Sequence, residues 1–348
     1  MREVRSEALE PAAAPAARRR TGWRRPGASL VSLAVSGTLL VVLYRSMDMR
    51  LIGEALLRAD KVWLVISIGM ILPITVLRAL RFLWVAPAGA LPGVGEALRL
   101  TLVASAFNVF LPAKSGDLIK SYFVAKRSET SAGVAIAIVV YERLCDLFSL
   151  IAWCLLGWLV GRPQVAGVPP AFWVLLGGVG AVCAVLISSE RAAALSRAIT
   201  ARALPHRKLR GLRKLAEGWP DLLHVLRGRR RWIVPFSLLL WLAHLFQIWM
   251  FTVALSIHIP FTVCASLSAV ALMAGQLPLT FAGLGTRDVA LVVLMSRYMS
   301  PESAAAMGVL ISTRGFLPPL IGLPMMRPYV VSVVDEAQPW RRKTEPVE

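Results

Sequence analysis

Polar and helix-breaking residues interrupt apolar sequence at two places, and their types suit the binding of an anion. The first interruption, NVFLPAKSGDLIK, covers 108–120, and the second, GQLPLTFAGLGTRDVA, covers 275–290. Each contains a polar amide, then Leu-Pro, then Gly, then an Asp at the expected start of a new helix. A helix start offers free amide protons and the positive end of the helix dipole, which attract anions such as phosphate.

Asp117 and Asp288 occupy these helix starts, and two interpretations of them stay open. One is capping alone, because an Asp carboxylate accepts the unpaired amide protons of a first turn. The other is anion binding, since Lys114 and Lys120 flank the first start and Arg287 flanks the second. Arg suits bidentate contact with a phosphate.

A third group of charges lies inside an apolar stretch, in the sequence YERLCD. If the helix enters lipid near Gly133, Glu142 lies about 14 Å deep, close to the middle of a hydrocarbon core about 30 Å thick. Charges there cost roughly 2.5 to 3.5 kcal/mol each on insertion scales, so Glu142, Arg143 and Asp146 must face partners or water. A structural ion-pair network and a functional site both fit this pattern.

The composition places these groups in a membrane protein. The 348 residues are 57% hydrophobic and only 17% charged, and the mean hydropathy of +0.64 exceeds that of soluble proteins. The net charge of +19 would suit nucleic acid. The basic residues, however, cluster between apolar segments and at the chain ends, where they report membrane orientation. We therefore expect no nucleic-acid partner.

Six apolar runs have the length that spans a bilayer, about 17 to 25 residues. They are 28–44, 62–85, 131–160, 171–188, 232–257 and 303–326. Two further segments, 96–111 and 260–281, run into Pro, Gly and charge, and they predict broken or re-entrant helices with Pro112 and Pro278 as the breakers. The sequence thus predicts an all-α polytopic integral membrane protein with up to eight hydrophobic helices.

Basic residues predict the orientation of the chain. Twelve Lys and Arg face three acidic residues between 190 and 231, which makes this loop cytoplasmic by the positive-inside rule. Both termini are expected on the same side of the cell membrane. Residues 1–27 predict a disordered basic tail, 28–327 a single transmembrane domain, and 328–348 a second cytoplasmic tail. Arg78 and Arg81, near Trp84, are interpreted as markers of the membrane boundary.

An equal spacing links the interruptions to two intramembrane arginines. Arg143 follows Asp117 by 26 residues, and Arg314 follows Asp288 by 26 residues. This predicts an internal repeat, with halves of about 62–160 and 232–326 that run in opposite directions across the membrane. Transporters use such inverted repeats and place their broken helices at the interface between the halves.

Three stretches in this order, FNVFLPAKSGDLIKSYFVAKR, VVYERLCDLFSL and LPLTFAGLGTRDVALVVL, resemble a known family. It is the integral membrane family typified by the transmembrane flippase region of lysylphosphatidylglycerol synthases, also called the flippase-like or UPF0104 family. The resemblance covers roughly 30–326. The positions that match the family pattern are Asn108, Pro112, Gly116, Asp117, Glu142, Arg143, Asp146, Pro278, Gly283, Gly285, Arg287 and Asp288.

The resemblance implies a protein that moves a lipid with a phosphate-containing head group between leaflets. The chain departs from the full-length synthases because only a short basic tail follows Met326. We therefore expect no synthase activity. No HExxH, P-loop or GxSxG motif is present, so no catalytic residue, metal or cofactor is predicted.

Two functions from different classes are consistent with these features. The first is a lipid translocase that holds an anionic head group at a polar site near the bilayer midplane. Its candidate residues are Asn108, Lys114, Gly116, Asp117, Lys120, Glu142, Arg143, Asp146, Gly283, Gly285, Arg287, Asp288 and Arg314. The alternative is an accessory membrane subunit, or a membrane-embedded transferase with a carboxylate as general base, in phospholipid or polyprenyl-phosphate-linked glycan biosynthesis. Either function admits a separately encoded lipid-modifying enzyme or glycosyltransferase as partner.

Overall fold

The computed structural model describes residues 27–45, 47–110, 116–128, 130–164, 168–203, 210–276, 280 and 283–331, and this part of the chain is helical without strands. The helices are α1 (Gly27–Arg45), α2 (Met49–Arg58), α3 (Lys61–Gly69), α4 (Ile71–Val85), α5 (Val94–Phe110), α6 (Asp117–Arg127), α7 (Ala132–Gly161), α8 (Pro170–Ser188), α9 (Glu190–Ala203), α10 (Arg210–Val225), α11 (Arg230–Ala254), α12 (Phe261–Ala274), α13 (Thr286–Met295) and α14 (Pro301–Gly322). The predicted N-terminal tail up to residue 26 and the chain after residue 331 lie outside the described residues.

Five helical segments in the described residues are long and apolar enough to cross a membrane. They are Lys61–Val85, Ala132–Gly161, Pro170–Ser188, Arg230–Ala254 and Pro301–Met325. The first of these joins α3 to α4, and the last extends α14 by a 3₁₀ turn. Shorter apolar helices cover Leu33–Arg45, at the place of the first predicted span, and Phe261–Ala274. The prediction of an all-α polytopic membrane protein is confirmed.

Polar residues just outside the apolar runs explain where several helices begin. Asp60 accepts hydrogen bonds from the amides of Val62 at 2.8 Å and Trp63 at 3.2 Å. Ser131 and Ser300 cap α7 and α14 in the same way. These side chains satisfy amide protons that a helix leaves unpaired in its first turn. Three of the five long segments therefore start at a sequence signal independent of their packing, whereas α8 and α11 have no side-chain cap.

The predicted cytoplasmic loop is itself largely helical, as α9 and α10. Leu222 and Leu223 on α10 are fully buried, and Gly218 on α10 lies in close contact with Gly133 at the start of α7. Basic residues occupy the other face of α10. An amphipathic pattern of this kind buries one helix face and exposes the other. We call the end of the bundle that carries α9 and α10 the basic end.

Contacts at the basic end show which helices begin or finish there. Arg229, before α11, donates to the carbonyl of Ala86, after α4, at 3.4 Å. Tyr329, after α14, and Arg127, at the end of α6, both donate to the Glu96 carboxylate in the first turn of α5 at 2.8 Å. Thus α4, α6 and α14 finish at the basic end, where α5, α7 and α11 start.

Contacts at the opposite end complete the chain path. The amide of Asp60, before α3, donates to the carbonyl of Ala254, the last residue of α11, at 2.8 Å. The amide of Gln164, after α7, donates to the Tyr298 hydroxyl, which lies between α13 and α14, at 2.7 Å. The end of α7 therefore lies beside the turn between α13 and α14. The short helices α5 and α6 therefore enter the bundle from the basic end, and α12 and α13 enter it from the opposite end.

Two groups of helices follow the same order of long, short, short and long. We call residues 61–161, with α3 to α7, the first half, and residues 230–325, with α11 to α14, the second half. The halves interlock, because α5 packs against α14, α12 packs against α7, and α11 packs against α3 and α4. Each pair of short helices is thus held by a long helix of the other half.

Small residues allow the close approach of α7 and α12. Gly157 and Gly161 on α7 contact Thr262 and Ser266 on α12 so closely that a Cβ atom at either glycine would collide. The Ser266 hydroxyl also donates to the carbonyl of Cys154 at 2.9 Å. Within lipid, such small-residue contacts and interhelical hydrogen bonds stabilise helix association. This interface joins the two halves near the opposite end.

Candidate functional site

Six charged side chains from α4, α6 and α7 meet inside the first half. They are Arg81, Asp117, Lys120, Glu142, Arg143 and Asp146, which we call the charge cluster. The Arg143 side chain is 34% exposed, and the other five are almost completely buried. The cluster contains three cations and three carboxylates, so it is neutral as a whole. Charge balance of this kind is required to keep ions away from water.

Asp146 is held by three donors. Its Oδ1 atom accepts from Arg81 Nη1 at 2.5 Å and from Trp241 Nε1, on α11 of the second half, at 2.9 Å. Its Oδ2 atom accepts from Arg143 Nη1 at 3.4 Å. The carboxylate therefore connects α4, α7 and α11, and both of its oxygens are engaged.

Glu142 and Lys120 form a buried ion pair in the cluster. The Lys120 Nζ atom lies 2.6 Å from Glu142 Oε2 and 3.9 Å from Asp117 Oδ1. Arg81 Nη2 lies 3.8 Å from the other Glu142 oxygen. The Lys120 ammonium also lies 4.6 Å from the centre of the Phe82 ring, a distance at which a cation is attracted to an aromatic face. These contacts fix α6 against α4 and α7.

Asp117, the first residue of α6, points its carboxylate at side chains of the charge cluster instead of at helix amides. Arg143 donates to Oδ2, and Asn108 Nδ2 lies 3.5 Å from Oδ1. The side-chain oxygen of Asn108, Oδ1, in turn accepts from the backbone amide of Gly116 at 2.8 Å. A Cβ atom at Gly116 would lie 2.7 Å from the backbone nitrogen of Asn108, so only glycine allows α5 and α6 to approach this closely. Lys114 and Pro112, also predicted here, lie outside the described residues.

The corresponding part of the second half is organised around Asp288, the third residue of α13. Its Oδ2 atom accepts from the amide of Gly285 at 3.1 Å, and its Oδ1 atom accepts from Arg287 Nη2 at 2.6 Å. Arg287 Nη2 also donates to the Ser312 hydroxyl on α14 at 2.6 Å. Gly283 and Gly285 have φ angles of 78° and 95°, which favour glycine. Pro278 lies outside the described residues.

Arg314 on α14 has neutral partners. Its Nη1 atom donates to Gln247 Oε1 at 2.5 Å and lies 3.4 Å from His244 Nδ1, with both partners on α11. The Gln247 amide donates onward to the carbonyl of Ser67 on α3 at 2.7 Å. The Arg314 side chain is buried, and no described carboxylate forms an ion pair with it. The equal spacing in sequence therefore does not produce equal pairing in the two halves.

A cavity of about 280 Å³ lies between the halves and is lined by five arginines. Its charged lining residues are Arg78, Arg81, Arg143, Asp146, Arg287 and Arg314. Its polar uncharged lining residues are Ser105, Asn108, Trp241, His244 and Ser312. Five guanidinium groups thus face one carboxylate, and both halves contribute to the wall. The arrangement suits an anionic ligand of the size of a lipid head group.

The structure separates the predicted site residues into three sets. Asn108, Arg143, Asp146, Arg287 and Arg314 line the cavity. The rest of the described candidates lie outside its lining: Gly116, Asp117, Lys120 and Glu142 hold the first half together, and Gly283, Gly285 and Asp288 shape the start of α13. Lys114, Pro112 and Pro278 are not placed. Sequence spacing therefore did not distinguish lining residues from supporting ones.

Arg78 and Arg81 are the residues whose interpretation changes most. The sequence suggested that they mark the membrane boundary, but Arg81 is buried in the charge cluster and both line the cavity. The signal was their separation of three residues, which places both on one helix face in an otherwise apolar segment. Trp241, His244 and Gln247 were also missed, although their separations of three residues place them on one face of α11 as well.

Within the described residues, no group of three or more His, Cys, Asp or Glu side chains is arranged to hold a metal ion. The four cysteines are buried and unpaired. The cavity lining offers guanidinium groups, an amide and hydroxyls, which can bind and orient an anion, together with one imidazole and one carboxylate.

The helices and the cavity define an integral membrane protein with a cationic site between two interlocked groups of helices. Comparison with known families gives a more specific assignment. The family described as the lysylphosphatidylglycerol synthase TM region matches residues 29–322, so the chain belongs to this family. It is also similar to a UPF0104 membrane protein of Methanothermobacter thermautotrophicus, with 23% identity over 282 residues that cover 73% of this chain and 81% of that protein. The resemblance stated from the sequence motifs is confirmed.

Proposed function

We propose that the protein moves a lipid with an anionic, phosphate-containing head group between the two leaflets of the membrane. The cavity holds the head group, and the acyl chains stay in the bilayer. The observation that carries this proposal is the cavity lining, with five arginines from both halves facing one carboxylate. Arginine clusters are costly in lipid and mark sites where a substrate or counter-ion supplies the missing charge. Membership of the flippase-like family supports the same function.

The chain path supports movement by alternating exposure of the cavity. The short helices α5 and α6 enter from the basic end, whereas α12 and α13 enter from the opposite end, as expected for inverted repeats. In transporters of this kind the two halves rock against each other around a fixed site. The cavity lies at the interface between the halves, so such a motion would expose it to each leaflet in turn.

The orientation that we propose places the basic end in the cytoplasm of the cell, with both termini on that side. The twelve basic residues between 190 and 231 support this orientation. A separately encoded lipid-modifying enzyme or glycosyltransferase would supply or consume the lipid. The protein itself would then change only the leaflet that the lipid occupies.

The contacts of the carboxylates favour transport over a transferase reaction. A general base must be free to accept a proton from its substrate. Asp146 is the carboxylate among the lining residues, and both of its oxygens accept hydrogen bonds from Arg81, Arg143 and Trp241. Both oxygens of Asp146 are therefore already engaged by donors of the protein in this conformation, which disfavours a role as general base.

A reconstitution experiment separates the two functions. The full chain is placed in phosphatidylcholine vesicles that contain a trace of an anionic phospholipid labelled on its acyl chain, and movement is followed by quenching of the outer leaflet. We expect the labelled lipid to equilibrate between leaflets faster than in vesicles without protein. In Arg314→Gln the rate should fall at least about tenfold, because a charge-assisted hydrogen bond to the lipid is lost. Arg213→Gln, on the exposed face of α10, is the matched control.

Mass spectrometry of the same vesicles completes the test. An unchanged lipid mass together with faster movement supports translocation. A changed lipid mass would instead favour the transferase. Equal rates of lipid movement in vesicles with and without the protein, for every anionic lipid tested, would overturn the proposed function.

A further inference from the structure

The arginines of the cavity divide into those that the protein neutralises and those that it does not. Arg81 and Arg143 belong to the neutral charge cluster. Arg287 is paired with Asp288 through contacts of 2.6 and 3.0 Å. Arg78 and Arg314 remain. Within the described residues, neither forms an ion pair with a carboxylate, although both line the cavity. When the carboxylates that lie behind the lining are included in the count, two positive charges at the cavity remain without a carboxylate partner.

The surroundings of Arg314 hold it ready for a ligand. Its guanidinium is positioned by the uncharged oxygen of Gln247 and by the carbonyl of His244, at 2.5 and 3.5 Å. Arg78 lies three residues before Arg81 on the same face of α4, so it reaches the cavity from the other half of the protein. Arg314 is buried and Arg78 is partly exposed, and a cation held inside a membrane protein without a counter-ion is strongly unfavourable. A ligand with two negative charges would relieve both.

The same lining offers nothing to a positively charged head group. Asp146 is the carboxylate among the lining residues, and its oxygens accept from Arg81, Arg143 and Trp241. An ammonium group, as in ethanolamine or aminoacyl lipids, would face five guanidinium groups and no carboxylate that is free of protein donors. Such head groups are therefore disfavoured by both repulsion and desolvation.

We propose, resting on the lipid translocation proposed above, that the cavity selects head groups with two negative charges and no positive charge. This class comprises lipids that end in a phosphate monoester or a diphosphate. Arg78 and Arg314 are the specificity-determining residues, one from each half. A phosphate monoester carries a charge of about −1.5 to −2 at pH 7 and three acceptor oxygens, whereas a phosphodiester carries a single charge. The forked guanidinium groups, one from each half, match the oxygens of the monoester.

The test compares labelled lipids with the same acyl chains and different head groups. Phosphatidic acid, phosphatidylglycerol and phosphatidylethanolamine are each added to phosphatidylcholine vesicles that hold the full chain, at pH 7.5. We expect phosphatidic acid to move at least about tenfold faster than phosphatidylglycerol, since one charge-assisted contact distinguishes them. Phosphatidylethanolamine should not exceed its rate in empty vesicles.

Two kinds of variant assign the preference to the named residues. Arg78→Gln and Arg314→Gln should each reduce the preference for phosphatidic acid over phosphatidylglycerol to about twofold or less, because one excess charge is lost. Arg78→Lys and Arg314→Lys keep the charge and should retain most of the preference. An unchanged preference in both Gln variants would refute the assignment of these residues.

The pH dependence of the wild-type protein gives a test that does not depend on variant folding. The second pKa of a phosphate monoester is about 6, so phosphatidic acid loses one charge between pH 7.5 and pH 5. Phosphatidylglycerol keeps its single charge over this range. The groups that face the head group are the five arginines, Asp146 and His244, and any change in their charge acts on both lipids. The ratio of the two rates should therefore fall toward one at pH 5, and a constant ratio would contradict the proposal.

The remaining outcomes distinguish this inference from the proposed function. If no lipid moves, translocation itself fails, and the selectivity fails with it. If phosphatidylglycerol or phosphatidylethanolamine moves as fast as phosphatidic acid, translocation stands and the selectivity is wrong. Inorganic phosphate is added as a competitor to separate a lipid site from a site for the free ion. Inhibition by inorganic phosphate at concentrations comparable to those of the lipid would reassign the cavity to the free ion.

Discussion

The guanidinium of Arg143 donates to the carboxylate of Asp117, and this contact joins α7 to the first residue of α6. The residues at the same spacing in the second half are not paired in this way, because Asp288 is occupied by Arg287, and Arg314 is bonded to Gln247. The two halves thus hold corresponding groups in different arrangements. If inverted halves exchange arrangements during transport, Arg314 pairs with Asp288 in the other state, and Arg143 is released.

Weakening the contact between Arg143 and Asp117 should shift the protein toward that other state. We expect Asp117→Asn to change the side from which the cavity is accessible, since an amide binds a guanidinium less strongly than a carboxylate does. The measurement uses a single cysteine at Ser105, a lining residue, in a background without the four native cysteines. An impermeant thiol reagent is applied to each side of sealed vesicles. A ratio of labelling rates that matches the parent protein would contradict the exchange.

The chain path makes a separate prediction about topology. Ser128 follows α6 at the basic end, and Ser296 follows α13 at the opposite end. Single cysteines at these two positions should react with an impermeant thiol reagent from opposite sides of sealed vesicles. Reaction of both from one side would exclude the inverted arrangement of the short helices.

The close approach of α5 and α6 predicts a stability effect at Gly116. A methyl group there would lie 2.7 Å from the Asn108 amide nitrogen, and backbone cannot move aside as a flexible side chain does. We expect Gly116→Ala to destabilise the protein by about 1 to 3 kcal/mol, the usual cost of overpacking. Thermal unfolding of the purified protein in detergent measures the effect. Gly177→Ala on α8 is the control, because no atom lies within 4 Å of its Cβ position, and it should leave the midpoint unchanged or raise it.

The sequence revealed the two interruptions because Pro, Gly and charge stand out against apolar segments. It did not reveal the roles of Arg78 and Arg81, since depth in the membrane depends on how α4 packs, and a basic residue near Trp84 also fits an interfacial position. Trp241 was missed because its ring reads as packing, whereas its indole nitrogen reaches across the halves to Asp146. The pairing of Arg314 was likewise unavailable, since Gln247 and Arg314 are 67 residues apart in the chain. The distribution of apolar, charged and helix-breaking residues therefore predicts the helices, whereas tertiary contacts decide which side chains line the cavity.

The pair of Lys120 and Glu142 allows a decision between a structural and a functional charge cluster. Both side chains are buried and lie outside the cavity lining, with 2.6 Å between Lys120 Nζ and Glu142 Oε2. Removing one partner leaves an uncompensated buried charge, so Glu142→Gln should destabilise the protein by about 3 to 5 kcal/mol. Replacing both residues, as Lys120→Met with Glu142→Leu, should restore much of the monodisperse fraction in size-exclusion chromatography, because well-packed apolar groups often substitute for a buried pair.

Lipid movement measured on the same double variant completes the argument. If the pair only supports the cavity, translocation per folded molecule returns to near the parent rate when the fold is restored. A double variant that folds like the parent but does not move lipid would show that these two charges take part in transport, for example by accepting and releasing protons as the halves exchange. The comparison of the single and double variants separates these roles because the single variant alone loses charge balance.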